Sequence, residues 1–149
     1  MTKLTIDDLE VLTPDQLWGL FYDAIRRSLP DYPPQVQYIK DLITAGCPIG
    51  PRSNGDLTAL HYAIFYNFPD IAKFIVSEGA DIHIRDKHGF TALHFAARDG
   101  NLEMVKFLLS RGADIHARTH NMIYNPPRVY TPWDYANDEI RKSIPELKP

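Results

Sequence analysis

"SEGADIHIRD" (Ser77–Asp86) returns as "SRGADIHART" (Ser110–Thr119), 33 residues further along the chain. The same offset recurs elsewhere. Thr58-Ala59-Leu60-His61 reappears as Thr91-Ala92-Leu93-His94, and Gly46, Gly79 and Gly112 form a series with that step. A further copy of the threonine motif begins at Thr131-Pro132-Trp133-Asp134. Self-similarity at a fixed period of this length is the mark of a repeat array, in which each unit buries its apolar face against its neighbours.

Each unit reads as two short helices and a turn. In the clearest copy Leu93, Ala96 and Ala97 share one face of a first helix, with small residues where a neighbour must approach. Met104, Phe107 and Leu108 share a face of a second helix, widened by Val105 and Leu109. Asp99-Gly100-Asn101 breaks the pattern between them, and in the copy upstream Asn67 stands in the place of that glycine, the next best residue for a left-handed backbone. Gly112 ends the second helix and a polar, hairpin-like turn follows.

The stretch Gly79–Arg118 resembles the motif of the ankyrin repeat nearly residue for residue. The resemblance is clear from about Asn54 to Arg118 and implies an all-α solenoid of about four helix-turn-helix units joined by β-hairpin-like turns. We place the units at about residues 13–52, 53–85, 86–118 and 119–149 of a single domain, the outer two as divergent caps. Departures are local. Alanine replaces the motif's proline at Ala59 and Ala92, and Asn54-Gly55-Asp56 carries its glycine one place early, which predicts a distorted hairpin tip. The first unit aligns through Phe21, Ala24, Val36, Ile39, Leu42, Ile43 and Gly46, with six extra residues within "SLPDYPPQV". Thr13, Pro14 and Gln16 predict a capping box with proline at the first helical position. The last unit carries seven extra residues ahead of its first helix.

Candidate chemistry is sparse. His61 and His94 lie inside the helical motif, where the resemblance implies a hydrogen bond to the motif's threonine and to the next unit's backbone. His83 and His116 sit at the hairpins, roughly 10 Å apart if the units pack as helix pairs do, too far to share a metal ion. His88 and His120 fall on hairpin tips. Cys47 takes the place of Ala80 and Ala113, and no base stands near it in the pattern. No phosphate-binding loop, His-Glu-x-x-His or Gly-x-Ser-x-Gly motif is present. We expect no enzyme, no cofactor and no metal.

The 149 residues suit one domain. A net charge of −3 lacks the basic balance of a general nucleic-acid binder. One cysteine and an N-terminus without a signal sequence suggest a reducing compartment, the cytoplasm, with a specialised export route left open. No segment is apolar enough for a membrane span.

Function is then expected where the copies differ. The resemblance implies a concave groove that binds other proteins, lined by hairpin tips and the exposed ends of first helices. On this chain those positions are Asn54, Leu57, Phe65, Tyr66 and Arg85, then Lys87, His88, Phe90, Arg98, Asp99 and Arg118. Aromatic and arginine side chains are the usual anchors of such interfaces. The competing reading is that Phe65 and Tyr66 pack against the next unit. The loop with Met122, Ile123, Tyr124, Pro126, Pro127, Arg128 and Tyr130 is a second candidate, either binding or capping the array. Tyr124 and Arg128 join the candidate positions.

The expectation is a monomeric, non-enzymatic module that binds one protein partner as adaptor or inhibitor. In a bacterial or viral setting, neutralising a toxin or engaging a host protein would fit the resemblance. The alternative is an adaptor whose N-terminal "LTPDQLWGLFYDAI" (Leu12–Ile25), faintly similar to the first helix of an F-box, recruits a ubiquitin ligase.

Overall fold

The computed structural model describes residues 6–27, 34–51, 56–120 and 128–148. Among them, α1 (Ile6–Glu10) precedes four helix pairs and a closing 3-10 turn at Pro145–Leu147. The pairs are α2 (Pro14–Arg27) with α3 (Pro34–Thr44), α4 (Ala59–Phe65) with α5 (Pro69–Ser77), α6 (Ala92–Arg98) with α7 (Leu102–Ser110), and α8 (Pro132–Tyr135) with α9 (Asp138–Ser143). No described residue belongs to an extended strand. First helices α4, α6 and α8 pack successively on one another, and second helices α3 and α5 pack behind them.

The short helices start where side chains supply the missing backbone partners. Thr13 N–H donates to Gln16 Oε1 at 2.8 Å and Gln16 N–H to Thr13 Oγ1 at 3.3 Å, so the expected capping box opens α2. At α4 and α6 histidine replaces the usual Glu or Gln of such a box: Thr58 N–H donates to His61 Nδ1, and Thr91 N–H to His94 Nδ1, each at 3.1 Å. At α8 Asp134 takes that role, accepting from Thr131 N–H at 2.7 Å. Asn101 Oδ1 caps α7 through Met104 N–H and Asn137 Oδ1 caps α9 through Ile140 N–H, both at 2.9 Å.

Inter-helix turns use left-handed residues as the copies require. Gly100 has φ +72° and Asn67 φ +58°. The early glycine upstream has a visible consequence, because Asp56, which aligns with Gly89, itself takes φ +57°. Residues 52–55 with Asn54, and the insertion at 121–127 with Met122, Ile123, Tyr124, Pro126 and Pro127, lie outside the described residues, as do 28–33.

One core runs through the stack. Leu17, Phe21 and Ile25 from α2 join Ile39 and Leu42 from α3, then Leu60, Ile71 and Ile75, then Leu93, Met104 and Leu108, and finally Ile140 and Leu147. The helix α1 has no counterpart in the repeat pattern. Its Leu9 is buried and it packs on α3, covering the outer side of the first pair.

Candidate protein-binding surface

The hairpins between helix pairs are built by aspartates. Asp81 Oδ1 accepts from His83 N–H at 2.8 Å, and Asp114 Oδ1 from His116 N–H at 2.9 Å. At the tip between the second and third pairs, Asp86 Oδ1 accepts from both His88 and Phe90 N–H at 2.8 Å. Its own N–H donates to the Phe90 carbonyl at 2.9 Å. Gly89 closes this turn with φ +81°. Successive hairpins are then stitched together: His120 N–H donates to the His88 carbonyl at 2.7 Å, and Arg85 Nη1 to the Arg118 carbonyl at 3.1 Å.

The buried histidines link helix starts to those hairpins. His94 Nδ1 faces Thr91 Oγ1 at 2.9 Å while its Nε2 meets the Tyr130 carbonyl of the next unit at 3.3 Å. His61 makes the same threonine contact, at 2.9 Å. Its buried Nε2 has no well-formed hydrogen bond, and the Phe90 carbonyl is the backbone group acting on it. Because Nδ1 accepts from a backbone N–H in both rings, we assign the proton to Nε2. Burial lowers both pKa values from 6.5 to about 4, so the rings are neutral. These side chains position backbone; they are not arranged for proton transfer to a ligand. Among the described residues no group of three or more His, Cys, Asp or Glu is placed to hold a metal ion, and Cys47 is buried.

The candidate binding positions fall into two sets. Phe65 is the exposed aromatic, 51% accessible at the end of α4. Its ring lies edge-on to Tyr66 at 5.1 Å, and the Arg98 guanidinium sits 5.7 Å above it. Arg98 also lies 4.8 Å from the Phe95 ring and pairs with Asp99 at 3.1 Å, so it is held in place by three neighbours. Arg85, Lys87, His88, Asp99, Arg118 and Arg128 are exposed. Leu57, Tyr66 and Phe90 are half-buried and pack against the core. Phe90 contacts His94, Phe95 and Tyr135 at ring distances of 5.5, 5.6 and 5.3 Å. A stability-neutral Phe90→Ala, which its place among the variable positions suggests, is therefore not what the structure supports.

Residue comparison alone missed Phe95. It aligns with Tyr62 and Tyr135, each four residues after its motif threonine, so the three take the same place on successive first helices. Tyr62 meets Tyr22 at 5.3 Å, Phe95 meets His61 at 5.4 Å, and Tyr135 meets Tyr130 at 5.6 Å. The signal was in the repeat register, but a residue type present in every copy reads as scaffold. Here it is scaffold that also forms the floor beneath Phe65 and Arg98.

The ends of the insertion are fixed although its middle is outside the described residues. Thr119 N–H donates to the Tyr130 carbonyl at 2.9 Å, and Tyr130 N–H to Thr119 Oγ1 at 3.1 Å. On the opposite layer Lys73 Nζ bonds Glu103, tying α5 to α7.

Among curated proteins no relative matches the chain. The family model for ankyrin repeats matches in three copies over residues 33–119, more than half of the sequence. That family is a non-enzymatic interaction fold whose members bind other proteins. With helix pairs, aspartate-built hairpins and threonine–histidine helix starts all in register, the chain belongs to the ankyrin-repeat family.

Proposed function

We propose that this protein works as an adaptor or inhibitor that engages one protein partner through the face formed by its hairpin tips and first helices, as a monomer. The observation that carries the reading is Phe65. A large aromatic ring left half-exposed, with an arginine held over it, contributes little to the stack and suits an interface anchor. Asn54, Leu57, Tyr66, Arg85, Lys87, His88, Phe90, Asp99, Arg118, Tyr124 and Arg128 are the surrounding positions of that proposal.

The recruiting-helix alternative has less room. Leu17, Phe21 and Ile25 already face the core, so the apolar side of α2 is engaged within the array.

The test is a matched set of substitutions on a partner isolated from the source lysate. Phe65→Ala is expected to weaken binding by about 2 kcal/mol or more, the size of an interface hot spot, with a small change in stability. Lys106→Ala, exposed on α7, is the control and should alter neither. Unchanged affinity for Phe65→Ala would remove this face as the binding site. Phe65 would then be packing surface only.

A further inference from the structure

We propose that Arg98 is a positioning residue of the binding face: tied to Asp99 and stacked on Phe95, it fixes the Phe65 ring in the orientation that a partner meets. Its guanidinium acts through Phe65 and is not itself the anchor. The inference rests on the groove reading above and assigns the Arg98–Asp99 pair its part in it.

An exposed ring at the end of a helix is ordinarily free to change rotamer, and ordering it on binding opposes affinity. Phe65 is the last residue of α4 and 51% accessible, so α4 alone does not hold it. Its place is set from the next unit. The Arg98 guanidinium stands 5.7 Å from the ring centre, and the Phe95 ring lies edge-on at 6.5 Å. Tyr66 meets the ring edge-on at 5.1 Å, but as the next residue in the chain it shares whatever motion the end of α4 has.

Arg98 in turn has little freedom left. Its guanidinium lies 4.8 Å over the buried Phe95 ring, and its Nε donates to Asp99 Oδ1 at 3.1 Å. Stacking fixes the height of the guanidinium plane above α6, and the Nε bond fixes its rotation within that plane. A planar fork of donors can satisfy both restraints at once; a lysine ammonium, a point charge on a flexible stem, cannot. The two side chains remain 37% and 33% accessible, so as an ion pair they add little to stability. Their effect is order. Asp99 also cancels the charge of Arg98, which leaves the arginine no free charge with which to seek a partner of its own.

A positioning residue and an anchor leave different signatures. An anchor contributes to affinity whether or not Phe65 is present, and its loss adds to that of Phe65; a positioning residue has nothing left to act on once the ring is gone.

The experiment reads the ring first. Three-bond NMR couplings to Phe65 Cγ in the full labelled chain report its χ1 rotamer. One dominant rotamer is expected in the native chain, and averaging among staggered rotamers in Arg98→Ala. Asp99→Ala leaves the arginine in place and should loosen the ring as well. Arg98→Lys keeps the charge without the planar fork and should not restore the order. Thermal melts verify that all three fold. With the partner recovered in the Phe65 test, Arg98→Ala should weaken binding about two- to fivefold, the range of an exposed cation–π contact. In a Phe65→Ala background the same change should cost no more than about 1.5-fold, within the scatter of independent sites. A Phe65 ring already averaged in the native chain, a ring equally ordered in Arg98→Ala, full order in Arg98→Lys, or losses that simply add would each overturn the proposal. Affinity unchanged by Phe65→Ala sinks the groove reading instead, whatever the couplings show of the ring.

Discussion

At the scale of single residues, His61 and His94 make stability depend on pH. Burial holds their folded pKa at about 4, below the 6.5 of an exposed imidazole, so the unfolded chain binds protons first as pH falls. Their contribution is complete above pH 6.5, declines toward pH 4, and is gone below it. Each ring accounts for up to about 3 kcal/mol over that window. Urea midpoints measured across it should fall, and His94→Gln should flatten the decline; a pH-independent midpoint would mean the rings are not buried as described. Glycine positions separate two costs. An added Cβ at Gly89 would stand 3.0 Å from His120 N and from Thr119 Cα, backbone atoms that cannot swing away, whereas at Gly112 nothing lies within 4 Å. Gly112→Ala should therefore show only the left-handed penalty of about 1–2 kcal/mol, and Gly89→Ala clearly more. Equal losses by chemical denaturation would contradict the tight hairpin stitch.

At the scale of elements, α4 and α6 are seven residues each, too short to persist alone in water. Caps and burial make them. Leu93, 1% accessible, should cost about 2–5 kcal/mol as Leu93→Ala, because the cavity left in a repeat interface is bounded on both sides. Asn101→Ala removes the Met104 N–H acceptor and the 3.0 Å bond to Asn67 in the neighbouring turn, and about 1 kcal/mol is expected from the cap alone. If thermal melts show Asn101→Ala neutral, water replaces the cap fully. The element scale is also where reading by copy was weakest. The Thr13–Gln16 box and the left-handed Asn67 were legible because each is a local pattern with a local cause. The short α1 was not legible, because five residues outside the repeat have no register to be compared with.

At the scale of the whole molecule, each pair depends on the next. The Tyr130 carbonyl completes His94, the Tyr135 ring covers Phe90, and Asn137 closes over Gly100. Deleting residues 131–149 should therefore lower the melting temperature by more than loss of a small peripheral helix would, since it uncovers the third pair as well. An unchanged melting temperature would mean that the final pair is an appendage.

The sequence by itself determined the helix pairs and their turns, and its ankyrin resemblance implied the structural task of the motif histidines. A 33-residue recurrence forces every copy into one local solution. Only the tertiary structure decided which variable residues face outward. Phe65 and Phe90 look alike as aromatic departures from the repeat, yet Phe65 ends a helix where Arg98 and Phe95 of the next unit leave it half-exposed, while Phe90 lies beneath Tyr135 of the following pair. Exposure depends on what the adjacent unit places opposite, 40 or more residues away in the case of Tyr135, and no window around either phenylalanine contains it.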